Sequence, residues 1–294
     1  MSQGRGVVIK SERELALMRE AGKINAQALV AAVSIIRDGV STADVDGAAA
    51  EVLRVHGAES AFLGYPGPYP YPAVTTVSVN DELVHGIPGK RRLKEGDIVS
   101  IDCGAIFEGF VADSAITVGV GEISPEAQRL IDVTQQALFE CIDKMRIGNR
   151  TGDLSAAVQM YVEANGFNVV REYTSHGVGR NMHEDPQVPN YGKAGRGLPI
   201  RAGMTIALEP MVLTGEPDTR VLPDQWTVAS RDGQLTAHFE HSVAATLNGP
   251  WILTTLDKNL DEERLIRYNQ YFAGRVSPAV AKGVDTDEGI IFGP

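Results

Sequence analysis

A chain of 294 residues, 43% hydrophobic and 22% charged, has length for one large domain or two modest ones and the composition of a globular protein with a substantial core. No run of about 18 apolar residues occurs, so no membrane span is expected, and the start MSQGRGVVIK reads as no export signal. The net charge of −11 argues against a general binder of DNA or RNA, and Cys103 and Cys141, in no metal or disulfide spacing, suit a reducing cytoplasm.

In chain order, Ser11 with Glu14 three residues on makes a capping box. Leu15, Met18, Ala21, Ile24, Ala28 and Leu29 then recur at helical spacing and predict a helix to about Arg37. After Gly39 a second helix is expected from near Thr42 to about His56. The loop GYPGPYPYP follows, then a basic run at 89–94, GKRRLK, whose plainest reading is a solvated hairpin tip. Ile98 to Val118 reads as a hairpin turning near Glu108–Gly109. Ser124–Pro125 caps a third helix reaching about Arg146, and a fourth begins near Thr151 and ends at Gly166.

The second half repeats the first. At an offset of 109, Gly39, Thr42, Asp44, Ala48 and Gly57 match Gly148, Thr151, Asp153, Ala157 and Gly166. At an offset of 107, LKEGDIVSID aligns with IRAGMTIALE, which sets Gly96 on Gly203 and Asp102 on Glu209. VHGIP around His85 echoes SHGVG around His176. Each half therefore reads helix, helix, His-Gly turn, then a strand ending in a carboxylate. The order predicts a duplicated unit of helices and strands about a pseudo-two-fold axis, with a site where the two sheets meet.

Five residues stand in β-type stretches where a lone polar group is a poor choice: Asp102, Asp113, His176, Glu209 and Glu240. In the hairpin, Asp102 and Asp113 share a face as opposite or diagonal neighbours, roughly 5–8 Å apart at Cβ. Four carboxylates gathered in a partly dry site repel by several kcal/mol, on the order of what two divalent cations would cancel. An oxygen-rich set with one imidazole suits manganese, iron or cobalt, with zinc also open. Two such ions about 3.5–4 Å apart can share a water and lower its pKa toward 7. Alternation around HFEH places Glu240 on one face and Phe239 and His241 on the other, which makes His241 structural or supporting. His56 draws no role.

The stretches VNDELVHGIP, GDIVSIDCG, GFVADSA, SHGVGRNMHEDPQV, AGMTIALEPM and FEHSV resemble, in order, those of type I methionine aminopeptidases. The resemblance covers roughly residues 10–255. It implies an α+β pita-bread fold, the creatinase and aminopeptidase fold, with two pseudo-symmetric halves, a central antiparallel sheet and the site between them. It implies one catalytic domain over 1–255, with halves of about 11–120 and 121–255, and an extension over 256–294 in which LDEERLIRYNQYF could form a helix.

The same resemblance implies metal-dependent removal of the initiator methionine from peptides and nascent proteins with a small second residue, by a cytoplasmic monomer holding two divalent ions. Asp102, Asp113 and Glu240 would hold one ion and Asp113, His176, Glu209 and Glu240 the other. His85 would hydrogen-bond the substrate near its scissile amide, His183 would stabilise the oxyanion, and Glu209 would shuttle a proton. Tyr65, Trp226, Phe62 and Met182 would wall the methionine pocket. Members are expected to touch the ribosome through basic surfaces, whereas 213–232 carries Glu216, Asp218, Asp224 and Asp232 against Arg220 and Arg231. Ser175, where Gly is usual, and a longer, proline-rich loop over 64–80 depart from the pattern. An Xaa-Pro aminopeptidase or prolidase on the same fold, and a metal-free binding module, are the rival readings.

Overall fold

The computed structural model describes residues 6–256; the expected extension and its helix lie outside them. Ser11 caps α1 (Glu12–Ser34) as the sequence predicts. Its hydroxyl accepts from the Glu14 amide, and the Glu14 carboxylate accepts from the Ser11 amide at 3.0 Å. The helix stops three residues short of Arg37, because the chain turns at Gly39 (φ 83°), whose amide donates to Leu93 O. After α2 (Thr42–Val55) come the short β1 (Glu59–Ser60), β2 (Thr75–Val79) and β3 (Glu82–Val84), then the long hairpin of β4 (Ile98–Phe107) and β5 (Phe110–Gly119). Its register pairs Phe107 with Phe110, so the turn is Glu108–Gly109, both at positive φ, as a two-residue hairpin requires.

The second half opens with α3 (Pro125–Lys144), two residues shorter than expected because Arg146 folds back onto Asp143, and α4 (Thr151–Ala164). There follow β6 (Asn168–Val169), β7 (Thr174–Gly177), β8 (Glu184–Pro189), β9 (Thr205–Leu208), β10 (Met211–Leu213), β11 (Thr219–Val221) and β12 (Val228–Ser230). The last are β13 (Thr236–His238), β14 (Glu240–Thr246) and β15 (Gly249–Ile252). No helix among the described residues is long and apolar enough to cross a membrane.

The matched residues occupy matched structure. Gly39 and Gly148, Gly57 and Gly166, and Gly96 and Gly203 all have positive φ. Thr42 and Thr151 dock in the same way: each amide donates to a loop carbonyl and each hydroxyl accepts a loop amide, from Gly89 and Leu198 respectively. In both halves an aspartate three residues past the helix N-cap, Asp44 or Asp153, closes on the cap amide. The basic run is not a hairpin of its own; it is the loop that docks on α2, with Arg92 bridging to Ser41 and Leu93 fully buried.

Nor do the halves keep two separate sheets. One antiparallel sheet of nine strands runs β1-β4-β5-β14-β9-β7-β8, with β2 also on β4 and β15 also on β14. The halves join where β14 pairs with β5, Glu240 opposite Ala115 and His241 opposite Ser114. The helices cover one face, and the main core lies between them and the sheet. A second tie closes the chain on itself. Gly22 of α1 lets the backbone at Leu253 pass so close that a Cβ there would sit 2.0 Å from its carbonyl oxygen, and Arg19 donates to that oxygen at 2.7 Å.

Candidate metal centre

The five predicted residues converge at the β5–β14 junction. Because Asp102 lies opposite Ala115 and Asp113 opposite Gly104, the two aspartates are diagonal neighbours on one face of the hairpin. Asp102 and Glu240 lie close enough that their charges push the Asp113 carboxyl upward. Asp113, His176 and Glu240 offer ligand atoms within 4.8 Å of one another. Glu209, just past the end of β9, brings Oε1 to 3.4 Å from His176 Nε2, and Asp113 Oδ2 lies 3.9 Å from the same nitrogen.

Local chemistry holds these groups in place. Ser242 on β14 both donates to Asp113 O and accepts from its amide, each at 2.9 Å, which locks the second half to the ligand strand of the first. Ser175, the residue that departs from the glycine expected before His176, donates no strain; its hydroxyl accepts from the Glu209 amide at 2.9 Å. His176 Nδ1 faces the Gly177 carbonyl at 2.9 Å, so it must donate there, and Nε2 keeps its lone pair for the carboxylate cluster.

Burial pushes Asp102 from 3.8 up to about 7 and holds Asp113, Glu209 and Glu240 well above the ordinary carboxylate range, with mutual repulsion adding to the effect. Burial drops His176 to about 3, so its imidazole is neutral at any ordinary pH. Among the described residues, Asp102 Oδ1, Asp113 Oδ1 and Glu240 Oε1 are buried without a hydrogen-bond partner. Three orphaned carboxylate oxygens beside an imidazole lone pair are costly in a protein interior and fit divalent cations well.

Histidines surround this cluster. His183 lies against His176, ring centroids 4.3 Å apart and planes tilted by 52°, and meets the Tyr65 hydroxyl through Nδ1 at 2.7 Å. His85, in a left-handed conformation (φ 60°), is held by burial at about 4 and lies edge-on to Tyr173 and Trp226. His241 bonds Thr254 Oγ1 at 2.9 Å on the far side, in keeping with a structural place. His238 is the residue that sequence reasoning passed over. Its buried Nε2 has no hydrogen-bond partner and lies 3.6 Å from Glu209 and 3.9 Å from Glu240. It stands two residues before Glu240, so period-two alternation was a signal that it shares that face.

Beside His183 opens a cavity of about 410 Å³, bounded by Tyr65, Ile106, Val111, Arg180, Met182 and His183. Phe62, buried, and Trp226, half-buried, pack in the apolar cluster behind it. The proline-rich loop seats the indole. Trp226 Nε1 donates to Tyr69 O at 3.2 Å, Tyr71 meets its ring edge-on, and a Cβ on Gly67 would lie 2.3 Å from that ring. Tyr69 returns a bond to Asp224 O at 2.8 Å, so the loops of the two halves are latched together over the site.

The model for metallopeptidase family M24 matches residues 16–246. A methionine aminopeptidase of Clostridium perfringens is 48% identical, covering 85% of this chain and 99% of that protein. Methionine aminopeptidase 1 of Bacillus subtilis is 45% identical over 84% of this chain and 99% of its own. The crystal structure of methionine aminopeptidase from Thermotoga maritima superposes with a TM-score of 0.83 at 44% identity, over 85% and 99% of the two chains. Prolidase from Pyrococcus furiosus, at 23% identity and a TM-score of 0.69 over 65% of its chain, shares the fold.

Proposed function

The chain belongs to metallopeptidase family M24 and to the methionine aminopeptidases within it, and from that premise we propose how its residues divide the work. It removes the initiator methionine, with divalent metal as its family implies. Asp102, Asp113 and Glu240 would hold one ion, and Asp113, His176, Glu209 and Glu240 a second. The observation that carries this reading is the trio of buried, unpartnered carboxylate oxygens next to the His176 lone pair. When bound, divalent ions there would offset the charge of the acids and supply a water activated at neutral pH.

The protein's own groups supply the rest. Glu209, whose carboxylate is spanned by His176 and His238, accepts the proton of the attacking water and passes it to the leaving amine. Assigning the Tyr65 hydroxyl as donor to Nδ1 puts the His183 proton on Nε2, where it would stabilise the oxyanion, a contact worth about 3–4 kcal/mol. Neutral His85 hydrogen-bonds the substrate near the scissile amide. Tyr65, Phe62, Met182 and Trp226 receive the methionine side chain, whose burial contributes about 1.5–3 kcal/mol. A preference for a small second residue would follow from crowding past the scissile bond, as the resemblance implies.

Residues 1–255 are one catalytic domain acting as a cytoplasmic monomer, with 256–294 an added segment. A contact with the ribosome would use the basic loop Lys90–Lys94 rather than the acidic 213–232 segment. Digestion of a peptide library varied at its first two residues, under manganese, cobalt, iron or zinc, tests substrate and metal together. Cleavage of Met-Ala-Ser is expected; cleavage of Xaa-Pro peptides alone would overturn the substrate assignment.

A further inference from the structure

The segment Gly179–Glu184 carries Met182 and His183 between two strands, and one residue gathers it up. Glu184 Oε1 accepts from the amides of Arg180 and Asn181, at 2.9 and 3.2 Å. Its other oxygen accepts from Lys10 Nζ at 2.6 Å, and both side chains are nearly sealed, at 2% and 6% exposure. The ammonium also donates to Val8 O at 3.3 Å, while the Lys10 amide donates to Gly203 O at 2.8 Å. Gly179 leaves room for the pair: a Cβ there would stand 2.5 Å from Lys10 Cε and 2.7 Å from Glu184 Oε1.

A sealed ion pair is a weak source of stability, since desolvating both charges offsets much of their attraction. What it does supply is a fixed geometry. Both oxygens of Glu184 are committed, one to the loop and one to Lys10, which is itself pinned to the turn before β9. The residue immediately ahead of Glu184 is His183, in tilted ring contact with His176 and bonded to Tyr65. We propose that Lys10 and Glu184 are a positioning pair that aims His183 at the substrate carbonyl. The idea rests on the role given to His183 above. A misplacement of about 1 Å in such a group can cost on the order of 100-fold in rate.

Metal-loaded Lys10→Met, Lys10→Arg, His183→Ala and the double variant Lys10→Met/His183→Ala are compared on Met-Ala-Ser, with metal affinity read by calorimetry. Lys10→Met should lower kcat by about 10- to 100-fold with KM nearly unchanged, because a contact made mainly in the transition state is weakened. Metal affinity should stay at the parent value, and Lys10→Arg should restore most of the rate. The double variant should be no slower than His183→Ala alone, since positioning is worthless once the positioned group is gone. Losses that multiply would overturn the positioning role and leave that of His183 standing. Full turnover in His183→Ala would overturn both. Should Lys10→Met fail to fold, Glu184→Gln keeps an oxygen for the two amides while losing the charge, and the same cycle decides the matter.

Discussion

The two halves share an architecture yet load the site in different ways. The first contributes both of its candidate ligands, Asp102 and Asp113, from one hairpin with a two-residue turn. The second contributes His176 from β7, Glu209 from the end of β9 and Glu240 from the start of β14. In the first half, local register alone fixes the relation between ligands. In the second, His176 and Glu240 stand near each other only because β9 lies between their strands, with Ala207 opposite His176 and Ser242, and Leu208 opposite His241. Two of the five candidate donors are thus fixed by a hairpin, and the other three depend on long-range pairing across the junction.

The largest way to break this comparison is chemical. Glu209→Gln should keep the fold and lose about 10²–10⁴-fold in kcat, and Asp102→Asn should lose most turnover. Near parental rates with unchanged circular dichroism would contradict the roles assigned to them. Next comes the seam itself. Ser242→Val removes both bonds to the Asp113 backbone, so metal affinity should fall about 10-fold or more, as when groups that orient ligands are lost. Calorimetric titration checks this, and unaltered affinity would show that β14 pairing needs no help there.

Metal removal should reveal the strain of the gathered acids. Unfolded, these carboxylates ionise near 4; folded, Asp102 keeps its proton to about 7 and the other three beyond the ordinary range. The folded form then binds more protons, so stability falls as pH rises through that window. The buried histidines oppose this only below about 6.5, where the unfolded chain protonates them and the folded chain, with His176 and His238 at about 3, does not. Above 6.5 the carboxylates act alone. Chelated protein should therefore lose several degrees of melting temperature between pH 6.5 and 8, and added manganese should abolish that slope. A flat profile in chelator would mean that the acids do not repel as placed.

The smallest effect sharpens the pseudo-symmetry. Ser41 caps α2 through its hydroxyl, whereas Arg150, at the same place before α4, has no acceptor to offer the helix. Ser41→Ala should cost about 1 kcal/mol of stability and Arg150→Ala less than about 0.5, with activity unchanged in both. Denaturant titration measures each. Equal losses would show that the two caps are alike after all.

Some features were readable before any fold was known. A period of two put Asp102 and Asp113 on one face, glycines at matched offsets marked the turns, and the Ser11–Glu14 capping box and the Ser124–Pro125 pair marked two helix starts. His238 was readable by the same period, two residues before Glu240, although the strand breaks at Phe239 between them. The seal of Lys10 on Glu184 left no local trace, since the partners are 174 residues apart and each looks like an ordinary surface charge.

Sequence by itself determined the local geometry of this protein: turns, caps, the duplication and which side chains share a strand face, because these depend on steric and hydrogen-bond rules acting over a few residues. Only the tertiary structure decided that strands of both halves join in one nine-stranded sheet, that Ser242 clasps Asp113, and that burial turns four ordinary acids into a set that calls for cations. Desolvation and long-range pairing are properties of the packed chain, and they arise when residues distant in sequence shut water out together.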